Sequence, residues 1–123
     1  MPKHILVIDD STVILEMISD FLSEAGYRVS IAKDCIYSND LIYSGTPPDL
    51  IILDIMMPFM TGEKKLRLLK SRVKSRNIPV LLISSKEERE LSAIVTAGGA
   101  DGYLAKPFTA DQLVVSVQKL LAV

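Results

Sequence analysis

The chain has 123 residues, of which 49% are apolar and 24% charged, and its formal net charge is −1 at pH 7. This length and composition suit one domain with a single apolar core, and the near-neutral charge excludes a general attraction to nucleic acid or membrane surfaces. A single cysteine, Cys35, cannot form an internal disulfide, and the first apolar run is too short for a signal peptide or a membrane span. We therefore expect a cytoplasmic protein with one domain over residues 1–123.

Short apolar runs alternate with longer stretches of helical periodicity along the chain. The runs predict five strands, at Ile5–Ile8, Arg28–Ile31, Leu50–Leu53, Val80–Ile83 and Gly102–Ala105. Three of these runs are apolar without alternation, which is typical of strands that are buried on both faces of a parallel sheet.

Helical patterns follow each of these strands. They predict five helices, at Thr12–Ala25, Cys35–Ser44, Glu63–Ser75, Glu87–Ala97 and Thr109–Leu121. The first ends before Gly26, as a glycine cap predicts, and the last opens with Thr109 and Gln112 in the spacing of a capping box. The second is polar, and we expect it to be short or irregular. Alternating strands and helices predict an α/β fold with helices on both faces of a parallel sheet.

Polar side chains follow four of the predicted strands. The residues are Asp9, Asp10, Asp54, Ser84 and Lys106. The carboxyl ends of parallel strands meet at one edge of a sheet, and functional sites of such folds lie there. Like charges about 4 Å apart repel by roughly 4 kcal/mol near a protein surface, so clustered carboxylates require positive charge. Lys106 supplies one charge, and a hard divalent cation such as Mg²⁺ would supply two more through oxygen ligands.

This set of residue types is typical of phosphoryl transfer, which depends on positioning and on neutralising negative charge. Asp54 stands alone after a central strand and is the best candidate nucleophile, because a carboxylate can form an acyl phosphate. Asp9 and Asp10 are adjacent and suit a metal ion better, whereas Ser84 and Lys106 could contact phosphoryl oxygens. Each residue by itself would more often be a cap, a turn residue or a surface lysine. The prediction therefore depends on the whole set.

Five segments that contain these residues occur in the order and spacing of a known family. They are ILVIDDS at residues 5–11, PDLIILD at 48–54, MPFMTG at 57–62, PVLLIS at 79–84 and GADGYLAKPF at 99–108. The chain resembles the receiver domains of two-component response regulators over nearly its whole length, and resembles the chemotaxis response regulator in architecture. The resemblance implies a flavodoxin-like three-layer sandwich with strand order 2-1-3-4-5.

The resemblance also implies residue roles. Asp54 matches the phosphorylated aspartate, Asp9 and Asp10 the acidic pair around Mg²⁺ (or Mn²⁺), and the backbone carbonyl of Met56 a further ligand. Ser84 and Tyr103 match the pair of switch residues that respond to the phosphoryl group. Lys106 matches the family's lysine, and the Lys106–Pro107 peptide bond is commonly cis in this family.

The implied partners are a sensor histidine kinase or a phosphotransfer protein, and a downstream protein that the sequence does not identify. The fourth helix, fifth strand and fifth helix would form the interaction surface, and a homodimer is possible through the same surface. We expect no membrane binding and no direct binding of nucleic acid. Such a domain catalyses its own phosphorylation and dephosphorylation, but it is not a turnover enzyme on an external substrate.

Three features depart from the family pattern. Leu15 replaces a frequent arginine and, with Val13, is expected to add apolar surface to the first helix, either without function or as a docking patch. The third helix, with Arg76 directly after it, contains seven of the 14 basic residues, and we expect them to form a solvated face. An acidic or nucleic-acid partner is the alternative, although no aromatic residues interleave with this run. Met56 could hinder the attacking water and prolong the life of the phosphoryl group.

Other functions fit the sequence less well. An aspartyl phosphohydrolase would generally carry a second carboxylate at the position of Met56. Dinucleotide binding would require a Gly-x-Gly-x-x-Gly segment after the first strand, and none is present there. A receiver-like module that is never phosphorylated would not need Asp54 together with Lys106 and the acidic pair.

Overall fold

The structure is a computed structural model of the chain and describes residues 2–43, 45–57 and 60–122. Strands and helices alternate as predicted. The strands are β1 His4–Ile8, β2 Arg28–Ala32, β3 Leu50–Asp54, β4 Val80–Ser84 and β5 Gly102–Ala105. The helices are α1 Thr12–Glu24, α2 Ser38–Tyr43, α3 Gly62–Ser71, α4 Glu88–Gly98 and α5 Ala110–Leu121. Pro58 and Phe59, which belong to one of the segments that carry the family resemblance, lie outside the described residues.

All five strands pair in parallel in the order β2-β1-β3-β4-β5, which confirms the predicted fold class and strand order. The three inner strands β1, β3 and β4 are buried along their full length, whereas the edge strands β2 and β5 are partly exposed. The inner strands are the ones with uninterrupted apolar sequences, because both of their faces are covered by helices.

Two apolar clusters form the core, one on each face of the sheet. Alternate strand residues belong to different clusters: Leu6 and Ile8 lie in the first, and Ile5 and Val7 in the second. The first cluster includes residues of α3 and α4, and the second includes residues of α1 and α5. Since side chains of a strand alternate between faces, this division follows directly from the sheet. Because helices pack on both faces of the sheet, the carboxyl ends of its strands are held in fixed positions relative to one another.

The expectation that Leu15 and Val13 add apolar surface to α1 was wrong for Leu15 and confirmed for Val13. Leu15 is fully buried in the second cluster, whereas Val13 is 73% exposed. The helix begins after Ser11, whose hydroxyl accepts a hydrogen bond from the N–H of Ile14, and it ends at Glu24. With this start, Leu15 falls on the same face as Ile18 and Leu22 and belongs to the core stripe.

Helices α2 and α3 are shorter than the sequence pattern suggested. The second helix has six residues, in agreement with its weak pattern, and the third ends at Ser71 rather than Ser75. Ser75 is buried, and its hydroxyl donates to the carbonyl of Leu69, which satisfies one acceptor of the last helical turn. The capping box of Thr109 and Gln112 is confirmed at the start of α5. No described helix is both long and apolar enough to cross a bilayer.

The expectation that the basic residues of α3 form a solvated face was wrong for Lys65. This side chain is only 2% exposed, and its ammonium group donates to the carbonyl of Cys35 at 2.7 Å and to Asn39 Oδ1 at 2.6 Å. Burial lowers the pKa of Lys65 below its ordinary value of 10.5. The remaining residues on the buried face of this helix are Gly62, Leu66 and Leu69. Lys65 therefore joins α3 to the segment that leads into α2.

Candidate functional site

Asp9 and Asp10 lie directly after β1, at the carboxyl edge of the sheet. Asp9 is fully buried, and its Oδ1 accepts a hydrogen bond from the N–H of Ser11 at 2.9 Å. The N–H of Asp9 donates to the carbonyl of Ala32, which extends the pairing of β1 with β2 by one residue. Asp10 is exposed. Consecutive residues thus provide one carboxylate held inside the site and one that solvent reaches.

Asp54 is the last residue of β3, and its side chain is buried between the neighbouring strand ends. Its Oδ1 accepts a hydrogen bond from the N–H of Met56 at 3.2 Å. Gly62, the first residue of α3, donates its N–H to the carbonyl of Ile55 at 2.9 Å. A Cβ atom at position 62 would overlap the backbone oxygen of Asp54. Only glycine therefore allows α3 to begin this close to the Asp54 peptide.

Lys106 reaches across the sheet edge to two of these carboxylates. Its Nζ lies 2.9 Å from Asp9 Oδ2 and 3.7 Å from Asp54 Oδ2, and its side chain is 20% exposed. The N–H of Lys106 donates to the carbonyl of Ser84 at 2.8 Å, which ties the end of β5 to the end of β4. The Lys106–Pro107 peptide bond is cis, as the resemblance implied.

Ser84 and Tyr103 lie on the two strands beside this group. Ser84 ends β4, is fully buried, and its Oγ accepts a hydrogen bond from the N–H of Lys86 at 3.1 Å. Tyr103 lies on β5, where its side chain is partly buried against the first apolar cluster. The hydroxyl and the ring therefore occupy adjacent strands, and their role as a switch stays a prediction.

The site contains more negative than positive charge. One oxygen each from Asp9, Asp10 and Asp54 lies within 4.8 Å of the others. Burial, together with the Asp9 carboxylate, raises the pKa of Asp54 from 3.8 to about 6, although Lys106 and the N–H of Met56 act in the opposite direction. A buried carboxylate with a raised pKa is stabilised by additional positive charge. Three clustered carboxylate oxygens are the ligand type that Mg²⁺ prefers.

The structure brings together the four charged residues that the sequence placed at the strand ends: Asp9, Asp10, Asp54 and Lys106. The close approach of Gly62 to Asp54 was not predicted. The sequence signal for it was a glycine in the first turn of a helix, directly after the N-cap Thr61, where glycine is less favourable than other residues.

Comparison with known proteins identifies a family that matches nearly the whole chain. The family model for the response regulator receiver domain matches residues 5–118. Response regulator MprA from Mycobacterium sp. strain KMS is 35% identical over 121 residues, which is 98% of this chain and 51% of MprA. The chain therefore spans about half the length of the curated relatives it matches.

Solved structures show the same fold. Chemotaxis response regulator CheY4 of Vibrio cholerae has a TM-score of 0.90 at 30% identity, over 98% of this chain and 100% of CheY4. The receiver domain of sensor histidine kinase PA1611 from Pseudomonas aeruginosa, solved with magnesium coordinated in its active site cleft, has a TM-score of 0.89 at 24% identity over the full length of both chains. The fold has three clustered carboxylates at one edge of its sheet. The family model matches residues 5–118, and a relative is 35% identical over 98% of the chain. The chain therefore belongs to the response regulator receiver family of two-component signalling.

Proposed function

We propose that Asp54 accepts a phosphoryl group from a sensor histidine kinase or a phosphotransfer protein. The observation that carries this proposal is the position of Asp54, buried at the end of β3 with Lys106 Nζ 3.7 Å from its Oδ2 and a second carboxylate beside it. A carboxylate oxygen of Asp54 attacks phosphorus, the bond from phosphorus to the donor nitrogen breaks, and an acyl phosphate forms. The donor imidazole keeps the electron pair of the broken bond.

Neighbouring residues have distinct roles in this proposal. Lys106 already pairs with Asp9 and is placed to neutralise charge that develops on the phosphoryl oxygens. Ser84, held by the N–H of Lys86, donates its hydroxyl to a phosphoryl oxygen, and Tyr103 changes position in response. These rearrangements alter the surface of α4, β5 and α5, which contacts a downstream protein or a second copy.

We propose that Asp9, Asp10, Asp54 and the backbone carbonyl of Met56 hold Mg²⁺, for which Mn²⁺ can substitute. The clustered carboxylate oxygens and the raised pKa of Asp54 support this, as does the magnesium reported for the receiver domain of PA1611. When bound, the ion neutralises charge on the aspartates and on the incoming phosphoryl group.

We propose that residues 1–123 form one cytoplasmic receiver domain that acts through protein contacts and has no external substrate to turn over. Direct contact with nucleic acid is not part of this proposal. A net charge of −1 gives no general attraction to nucleic acid. The chain matches only about half of a relative such as MprA, so this proposal concerns the receiver domain alone.

Intact-mass spectrometry after incubation with acetyl phosphate tests the proposed phosphorylation. We expect one phosphoryl adduct that requires Mg²⁺, is present in wild type, and is absent in Asp54→Asn. Asp20→Asn, at an exposed position on α1, is the matched control and should behave as wild type. An adduct of equal size in Asp54→Asn, or none in wild type, contradicts the assignment.

Met56 gives a separate prediction about the lifetime of the phosphoryl group. Its side chain is 58% exposed and lines the same cleft as Asp10 and Lys86. This apolar side chain hinders an attacking water, so we expect Met56→Asn to speed loss of the phosphoryl group at least threefold. The adduct is followed by mass after acetyl phosphate is removed, and an unchanged decay rate would count against the idea.

A further inference from the structure

Charge is distributed very unevenly along this nearly neutral chain. Residues 61–78 contain seven of the 14 basic residues and one of the 15 acidic residues, so this segment has a net charge of +6 and the remainder −7. Lys65 is buried, and Lys70 pairs with Asp101 at 3.0 Å. The other five are exposed, and none forms an ion pair with a described carboxylate: Lys64, Arg67, Arg72, Lys74 and Arg76. An exposed cluster of this kind attracts an acidic surface.

The end of this segment, residues 72–76, forms a turn that we call the basic turn. It contains Val73, whose side chain is 75% exposed between Arg72 and Lys74. The guanidinium of Arg72 lies over the ring of Tyr43, 5.2 Å from its centroid, and Tyr43 Oη lies 3.0 Å from Ser75 Oγ. The basic turn is therefore fixed against the C-terminal end of α2. It presents one apolar side chain flanked by two cations.

A second exposed segment lies at the other end of α2, where residues 34–37 form a turn and residues 38–40 begin the helix; we call residues 34–40 the acidic turn. Ile36 is 62% exposed and Tyr37 is 58% exposed. With Met60 and the two aspartates Asp34 and Asp40, they line an open groove of about 700 Å³. Exposed apolar side chains of this size that lie side by side mark an interaction surface.

Several hydrogen bonds hold the acidic turn rigid. Asp34 Oδ1 accepts from the N–H groups of Ile36 and Tyr37 at 2.9 and 2.6 Å. The carbonyl of Cys35 accepts from Lys65 Nζ at 2.7 Å and from Ser38 Oγ at 2.8 Å. A surface that is ordered before binding loses less conformational entropy when a partner docks. The turn that exposes Ile36 and Tyr37 is thus preorganised.

From these two turns we infer that the protein forms a twofold-symmetric dimer through its α2–α3 face. The basic turn of one copy docks on the acidic turn of the other, with Val73 in the groove beside Tyr37. Because α2 separates the turns, an antiparallel arrangement of two copies makes the same contact twice and closes the assembly, as a twofold axis requires. This surface differs from the α4–β5–α5 surface and does not depend on phosphorylation of Asp54.

The chemistry of each turn favours a second copy as the occupant. The groove is apolar and bordered by carboxylates, and the basic turn is an apolar residue bordered by cations. A nucleic acid would find no free aromatic platform on the basic turn, since Arg72 covers the ring of Tyr43. A lipid or polyanion would use the basic turn and leave the acidic turn without a role.

Sedimentation velocity on the full chain tests the dimer. We expect a monomer–dimer equilibrium at protein concentrations below ~1 mM in low salt. Raising ionic strength from ~0.05 M to ~0.5 M should weaken it at least tenfold, because the contact pairs opposite charges. Val73→Glu should also weaken it at least tenfold, while Val13→Glu, a change at an equally exposed position on α1, should not. A monomer at ~1 mM in low salt, or equal effects of both substitutions, would overturn the proposal.

Disulfide trapping tests the arrangement of the two copies. Ile36→Cys and Val73→Cys variants are mixed in equal amounts and oxidised mildly, and the products are separated without reductant. We expect the mixed disulfide to dominate, because a disulfide forms only where two Cα atoms approach within about 7 Å. The native thiol of Cys35 is buried and serves as an internal background. Disulfides only between like variants, or equal trapping of Ile36→Cys with Val13→Cys, would overturn the antiparallel pairing.

Discussion

Lys106 and Lys65 are both largely withdrawn from water, but they have different partners. Lys106 is 20% exposed and lies 2.9 Å from a carboxylate oxygen of Asp9. Lys65 is 2% exposed and donates to the neutral oxygens of Cys35 and Asn39. The more deeply buried lysine therefore lies outside the proposed phosphorylation site. The charge of the partner, rather than burial, distinguishes Lys106, the lysine proposed to act in phosphoryl transfer.

The two lysines should also differ in their effect on stability. The ammonium of Lys106 offsets the charge of Asp9, which is fully buried. No carboxylate lies within ion-pair distance of Lys65 among the described residues, and burial lowers its pKa. Neutral acceptors recover only part of the lost hydration of an ammonium group. We therefore expect Lys65 to hold the acidic turn in place at a cost to stability.

The largest expected effect is that of Lys106→Met on phosphorylation. Removing one preorganised positive group from a phosphoryl-transfer site slows the reaction on the order of 100-fold. The rate is measured by intact mass with acetyl phosphate at saturating Mg²⁺, and Lys65→Met is the control that should stay within about twofold of wild type. A similar loss in both variants would show that the two lysines act alike.

The next largest effect is expected on the free energy of unfolding when Asn39, a hydrogen-bond partner of Lys65, is removed. Asn39→Ala leaves a buried ammonium with one acceptor fewer, and we expect the free energy of unfolding to fall by about 1–3 kcal/mol. In the Lys65→Met background the same substitution should have little effect, because the donor is gone. Urea unfolding of the four variants in this cycle provides the measurement. An equal loss in both backgrounds would assign the effect to α2 itself.

Removal of Lys65 should act in the opposite direction. Methionine fills a similar volume without an ammonium, and the carbonyl of Cys35 keeps its hydrogen bond from Ser38. We expect Lys65→Met to raise the free energy of unfolding by about 1 kcal/mol at neutral pH. A loss of stability instead would mean that the hydrogen bonds of Lys65 outweigh its desolvation.

The smallest expected effect is the pH dependence of the difference in free energy of unfolding between Lys65→Met and wild type. The pKa of Lys65 is lower in the folded protein than its ordinary value of 10.5, so the unfolded chain binds more protons between the two values. The penalty is therefore complete below the folded-state pKa and disappears as pH rises through 10.5. The advantage of Lys65→Met should shrink as pH rises toward 10.5 in paired urea titrations. An advantage that grows with pH would contradict the direction of the shift.

The fold and the charged edge of the site could be predicted because both follow from the strands. The apolar runs define the sheet, parallel strands end at one edge, and Asp9, Asp54 and Lys106 come directly after those runs. The role of Lys65 could not be predicted in this way. Its spacing to Leu66 and Leu69 places it on the buried face, but the acceptors that make burial tolerable lie 26 and 30 residues earlier in the chain.

The early end of α3, like the role of Lys65, could not be predicted from the sequence pattern. Its basic and apolar pattern continues past Ser71, and only the tertiary hydrogen bonds of Ser75 to Leu69 and Tyr43 show that the chain turns there. The prediction for Leu15 was wrong for a different reason. The family often has an arginine at this position, but in a helix that begins at Thr12 residue 15 lies on the same face as Ile18 and Leu22.

Gly62 has a mechanical consequence. The first residue of α3 rests on the Asp54 peptide without space for a Cβ atom, so a displacement of that peptide would be passed directly to the start of α3. A ten-residue helix is about 15 Å long, so the far end of α3 lies about that distance from this contact. The same helix leads from the Asp54 peptide at its first residue to the basic turn after its last residue.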